Sequence, residues 1–152
     1  MLRLALSAGV ILLCGTAVIA AEGVVLNADN LKWGDAPPQL SKGAKLAVVS
    51  GDPGGNGPFV VRVMFPANYK VAPHNHAKAE NVTVLSGNFH IGMGDKFDQS
   101  KGQELKAGGF VQAPAGMNHY AWSTSETVIQ IHGEGPFTLN YVNPADDPSK
   151  TQ

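Results

Sequence analysis

Short runs of apolar residues in strict alternation with polar ones, each closed by glycine, proline or asparagine, recur along most of the chain. In FVVRVMF, Val61, Val63 and Phe65 share one side while Val60, Arg62 and Met64 share the other, the period-two signature of a strand with one face turned inward. In ENVTVLSG, Val82 and Val84 continue the parity of Glu80, which places a carboxylate on an inward, largely apolar face. The same pattern predicts strands at KLAVVS from Lys45, FVVRVMF from Phe59, AENVTVLSG from Ala79, NFHIGM from Asn88 and QELKA from Gln103. It predicts further strands at GFVQAP from Gly109, NHYAWS from Asn118, TVIQIHG from Thr127 and FTLNYV from Phe137. No long helical period interrupts them. Many short strands joined by tight turns, in a chain with 18 glycines and 10 prolines, indicate an all-β sandwich or barrel.

The two ends differ from this pattern. Residues 1–20, MLRLALSAGVILLCGTAVIA, combine an early Arg3, an apolar run and small residues near Ala20 and Ala21, which is the layout of a signal peptide. Gly9, Gly15 and Thr16 break the run below the length and apolarity of a spanning helix, and Leu13 before Cys14 does not suit lipidation. The expectation is an exported, periplasmic protein with no stable membrane association after cleavage. Residues 21–44 then form an N-terminal lead-in, 45–142 the β domain, and the polar, proline-bearing stretch 143–152 a flexible tail.

Cleavage would remove Arg3 and the only cysteine, leaving ten basic against twelve acidic side chains. Such a surface offers nucleic acid no electrostatic footprint, and without cysteine no disulfide can staple the fold.

Candidate chemistry falls in two blocks about forty residues apart: His74, His76 and Glu80 in PHNHAKAENVTVLSG, and His119 in GGFVQAPAGMNHYAW. Extended backbone turns residues i and i+2 to one side, so His74 and His76 can meet one ion, with Glu80 returning to that face and His119 arriving from another strand. An ionised carboxylate on an apolar face needs a partner, and a metal ion supplies one. Three imidazoles and a carboxylate suit a divalent transition metal; Mn, Fe, Ni, Cu and Zn all remain open, because ligand type alone does not select among them.

These blocks resemble the two motifs of the cupin superfamily, G-x5-H-x-H-x(3,4)-E-x6-G and G-x5-P-x-G-x2-H-x3-N. The first runs from His74 through Glu80 to Gly87, with Asn68 in the leading glycine position; the second uses Gly108, Pro114, Gly116 and His119, with Ser123 in place of the final asparagine. The stretch GDPGGNGPFVVRVMFP and the exported context are similar to the cupin half of ChrR-type proteins. The resemblance implies a double-stranded β-helix, or jelly-roll barrel, with metal ligands His74, His76, Glu80 and His119. It implies a metal-dependent dioxygenase or related oxidoreductase acting on a small enolisable or phenolic compound, with Glu80 as general base. A non-enzymatic metal or small-ligand binding or sensor module is the alternative. Cupins often pair through sheet edges, so a homodimer is expected.

Of the other singled-out residues, His90 and His132 read as structural strand histidines or groups supporting the site. Tyr120 and Trp122 should pack the face away from the ion, and Asn118 carries no signal of its own. Phe89, Phe110 and Tyr141 are candidates for core or pocket lining. Lys78 reads as a surface bend or as a cation steering anions to the mouth.

Overall fold

The computed structural model describes residues 23–150; the expected signal peptide and Cys14 lie outside the described residues. The strands are β1 (Gly34–Asp35), β2 (Lys45–Ser50), β3 (Gly57–Phe65), β4 (Lys70–Asn75), β5 (Glu80–Ser86) and β6 (Asn88–Met93). They continue as β7 (Gln103–Lys106), β8 (Phe110–Ala113), β9 (His119–Ser123), β10 (Thr127–Gly135) and β11 (Asn140–Tyr141). One sheet has the order β1-β2-β3-β10-β5-β8 and the other β11-β4-β9-β6-β7. Every paired neighbour is antiparallel. The expected jelly-roll class is therefore the observed one. Among the described residues no helix is long and apolar enough to cross a membrane.

Alternation decides which side chains face inward. In β3 the residues Phe59, Val61, Val63 and Phe65 are buried, and across the ladder Val61 opposes Ile131, which opposes Val82; Val63 opposes Ile129, which opposes Val84. In the second sheet Ala121 pairs with both Val71 and Ile91, and Ser123 with Phe89. The interior is thus built in layers running from the Glu80–His119 end to the Phe65–Phe89 end.

Turn chemistry sets the register. Gly87, between β5 and β6, has φ of 75°, and a Cβ there would sit 2.2 Å from the Glu126 carbonyl oxygen, so both conformation and space demand glycine. Asn68, in the motif's glycine position, has φ of 62°, a left-handed conformation that asparagine tolerates better than most residues. Ser123, in the motif's asparagine position, is fully buried and donates from Oγ to the Pro66 carbonyl at 2.8 Å.

One strand was not among those expected, and one expectation needs correction. Lys70–Asn75 is a strand although Pro73 interrupts its pattern; the ladder with β9 shifts register between Val71 and His74, which accommodates a residue with no N–H to offer. FTLNYV is not a continuous strand: only Asn140 and Tyr141 pair, with Asn75 and His74, while Phe137, Thr138 and Leu139 form a wall of the interior.

Residues ahead of β2 close the open side between the sheets. Pro37, Gln39 and Leu40 line the interior, and the segment is held by the Tyr141 hydroxyl donating to the Gln39 carbonyl and the Tyr69 hydroxyl donating to the Ser41 carbonyl, both at 2.6 Å. Residues 144–150 form two short 3₁₀ turns, Pro144–Asp146 and Pro148–Lys150.

Candidate metal centre

All four predicted site residues meet at one end of the barrel and are buried. His74 lies in β4, His76 follows it directly, Glu80 opens β5 and His119 opens β9 opposite His74. The turn before β9 is closed by the Met117 N–H donating to the Pro114 carbonyl at 3.0 Å, with Gly116 at φ of 74°. The Gly116 N–H donates to the His76 carbonyl at 2.8 Å, so the second motif is tied to the first by backbone.

Each imidazole is anchored through Nδ1: His74 to the Ala72 carbonyl at 2.7 Å, His76 to Thr138 at 2.7 Å and His119 to Met117 at 2.9 Å. A carbonyl oxygen only accepts, so each Nδ1 carries the proton and each Nε2 presents a lone pair. The anchors act as outer-shell partners act in metal sites, by fixing tautomer and ring orientation. One potential ligand atom from each of the three rings lies within 4.8 Å of the others. The Nε2 atoms of His76 and His119 are buried without a hydrogen-bond partner, and Glu80 Oε2 approaches them at 3.6 and 3.3 Å. Orphaned lone pairs converging beside a carboxylate are the donor set of a divalent transition metal, so the residues fit such an ion.

The electrostatics agree. Burial pushes His74 down to about 3, reinforced by repulsion from His119 and His76, so it stays neutral and able to donate its lone pair. Burial would raise Glu80, yet His119 and His76 outweigh it and hold the carboxyl well below its usual range. For His119, burial opposes the charged form and the Glu80 carboxylate prevails, raising it, so in the metal-free protein a proton on Nε2 competes with an ion for that lone pair.

The site opens on a chamber of about 490 Å³ whose walls include Val61, Val63, Phe65, Val71, Phe89, Ile91, Ile129 and Ile131.

Neighbouring residues sort differently from their sequence signals. Phe137 stacks on His76 with centroids 4.4 Å apart, and Tyr141 lies 5.9 Å from His74. Phe89 lines the chamber, whereas Phe110 is 54% exposed and serves neither core nor pocket. Tyr120 and Trp122 pack the opposite face under Phe97, and His90 stacks on Trp122 at 4.8 Å. His132 and Lys78 are exposed and do not line the chamber. Asn118 accepts from the Asn75 amide and donates to Asp95, both at 2.7 Å, bracing the strands behind the ligands. Sequence reading missed Phe137, Thr138 and Gln39. A backbone carbonyl that orients a ligand leaves no sequence signal, and Gln39 lies in the segment read as a lead-in.

With this geometry, residues 16–140 match a family described as a domain of unknown function (DUF4437). The chain belongs to that family. No curated protein matches the sequence significantly. Among solved structures this DUF4437 chain is similar to a polyketide cyclase from Streptomyces resistomycificus, at 16% identity and a TM-score of 0.69 over 85% of this chain and 92% of that one. It is also similar to a proposed acetylacetone dioxygenase from Methylibium petroleiphilum, at 17% identity and a TM-score of 0.65 over 88% and 90%. A third is an RmlC-like cupin from Shewanella frigidimarina, at 16% identity and a TM-score of 0.59 over 75% and 91%. At these identities the likeness shows the fold, which is that of the cupins.

Proposed function

We propose that this DUF4437 protein is an exported metal-dependent enzyme, a dioxygenase or related oxidoreductase, that acts on a small enolisable or phenolic compound. The observation that carries the reading is the convergence of three anchored imidazoles and an ionised carboxylate at one end of an apolar chamber. His74, His76, His119 and Glu80 would hold the ion, which when bound supplies Lewis-acid polarisation and, for a redox metal, a path for electrons. The chain's own residues do the rest. The carbonyls of Ala72, Thr138 and Met117 keep the rings in one orientation, and the aliphatic walls exclude water. Glu80 is the proton acceptor.

One observation favours a second reading. Among the described residues lining the chamber, the four site residues are the only titratable side chains, so no further acid or base stands beside Glu80 to share its proton. A non-enzymatic metal or small-ligand binding or sensor module needs none. Oxygen uptake by the metal-loaded protein with flavonols, enediols and catechols separates the two. Turnover with Fe, Ni, Cu or Mn supports the oxygenase; stoichiometric zinc with no turnover under any of these metals would sink it. Glu80→Gln should then reduce turnover far more than metal content.

A further inference from the structure

The chamber has a polarity that the site alone does not explain. Its polar lining, namely the four site residues with Gln39, Thr138 and Asn140, is concentrated at the metal end, since Thr138 anchors His76, Asn140 pairs with Asn75, and Gln39 is tied through its carbonyl to Tyr141, the strand partner of His74. Below that end the register stacks apolar layers: Val61 with Ile131, Val63 with Ile129, then Phe65; on the facing sheet Ile91 with Ala121, then Phe89. Phe65 and Phe89 lie nearly parallel, with centroids 6.4 Å apart, and close the far end together with Tyr69 stacked on Phe65. From Val61 to Phe65 the strand advances about 13 Å, the length of a chain of about ten carbons. Among the described residues no Lys, Arg or Asp lines the walls, and Glu80 is the only acidic side chain that does.

Resting on the metal-centre reading, we propose that the ligand of this chamber is a head-and-tail molecule: one metal-binding head carrying at most a single negative charge, and an uncharged apolar tail up to about ten carbons long. A divalent ion with Glu80 leaves a net charge near +1, which one enolate or phenolate neutralises. A second anionic group would lie against aliphatic walls with no cation to pair it, a placement that costs several kcal/mol. Sugars and other polyhydroxyl compounds are excluded for the same reason, because valine and isoleucine walls leave their hydroxyls unbonded. Water is a poor filling too, since a site must offer it polar partners and these walls do not. An apolar tail fits the volume and the surface at once.

The test uses the protein loaded with zinc and a series of straight-chain hydroxamic acids from two to fourteen carbons, read by calorimetry. Affinity should tighten about fourfold per added methylene, each being worth about 0.8 kcal/mol, up to about ten carbons and then level off or fall. Val63→Phe, which fills the second layer, should leave the two-carbon probe unchanged and abolish the gain beyond about six carbons. A flat series in the wild-type protein, or a Val63→Phe series identical to wild type, would overturn the proposal while leaving the metal centre intact. A parallel arm measures the thermal shift given by 1-butanol, 1-octanol and 1-decanol on metal-free protein. If zinc fails to bind, the metal reading fails, and this arm still decides the tail: a shift that grows with length supports it, and equal shifts refute it.

Discussion

The segment 36–41 closes one side of the chamber, and its attachment can be tested quantitatively. Tyr141 and Tyr69 each donate one 2.6 Å hydrogen bond to it, at the carbonyls of Gln39 and Ser41. Replacing both tyrosines by phenylalanine keeps the rings, including the Tyr69 stack on Phe65, and removes only the two hydroxyls. Ser41 is exposed and Gln39 half-buried, so water can partly replace each donor and the loss per bond stays near the ordinary net value of about 1 kcal/mol. Together they amount to about 2 kcal/mol of local stability, or roughly a thirtyfold increase in the opening equilibrium. Native-state hydrogen exchange reads this directly, because the Leu40 N–H is bonded to the Pro37 carbonyl and the Ala36 N–H to that of Ala44. Both amides should exchange about thirtyfold faster in the double variant, with β3 and β10 amides changing far less. Unchanged exchange at Leu40 and Ala36, or an equal acceleration everywhere, would refute the idea that the two hydroxyls hold this wall as a separate unit.

Burial raises Tyr69 to about 12 and raises Tyr141 as well, so their neutral forms stabilise the fold fully below about pH 10 and that contribution is lost as pH climbs toward 12. Unfolding temperature should fall through that window, and less steeply in the double phenylalanine variant; parallel curves would contradict it. Thr127 is fully buried, and its Oγ1 donates to the Asn88 carbonyl at 2.9 Å and accepts the Asn88 N–H at 3.2 Å. Thr127→Val should cost about 3 kcal/mol and about 10 °C in Tm, with Thr127→Ser recovering most of it; a loss below about 1 kcal/mol in urea melts would show those bonds to be dispensable. Phe137→Ala removes the ring stacked on His76, and should weaken zinc binding in a competition titration while leaving the Thr138 anchor in place; unchanged affinity would show that stacking does not position the ligand.

Period-two alternation made most of the fold legible in the sequence. Strands such as β3 and β10 bury one face against layered neighbours, so their inward residues must alternate. It failed where burial is governed by something other than alternation. β4 contains Pro73 and a register shift, so its pattern is broken even though it pairs with β9 and β11. Phe137 to Leu139 have the composition of a strand but pack as a wall, and Phe110 has the composition of core yet sits on the outer surface. The site was legible because histidines and a glutamate at fixed spacing on inward positions have few other uses. The chamber was not, since a hollow barrel and a filled one are lined by the same valines and isoleucines. Its side wall was missed because Pro37 to Leu40 carry no strand pattern and are held by tyrosines far away in sequence.

Metal analysis of the purified protein bears most directly on the central claim. After exposure to one equivalent of zinc and gel filtration, wild type should retain about one ion per chain, and His76→Ala and His119→Ala should each lose most of it while keeping the wild-type circular dichroism. Equal metal content in wild type and both variants would mean that these imidazoles do not hold the ion.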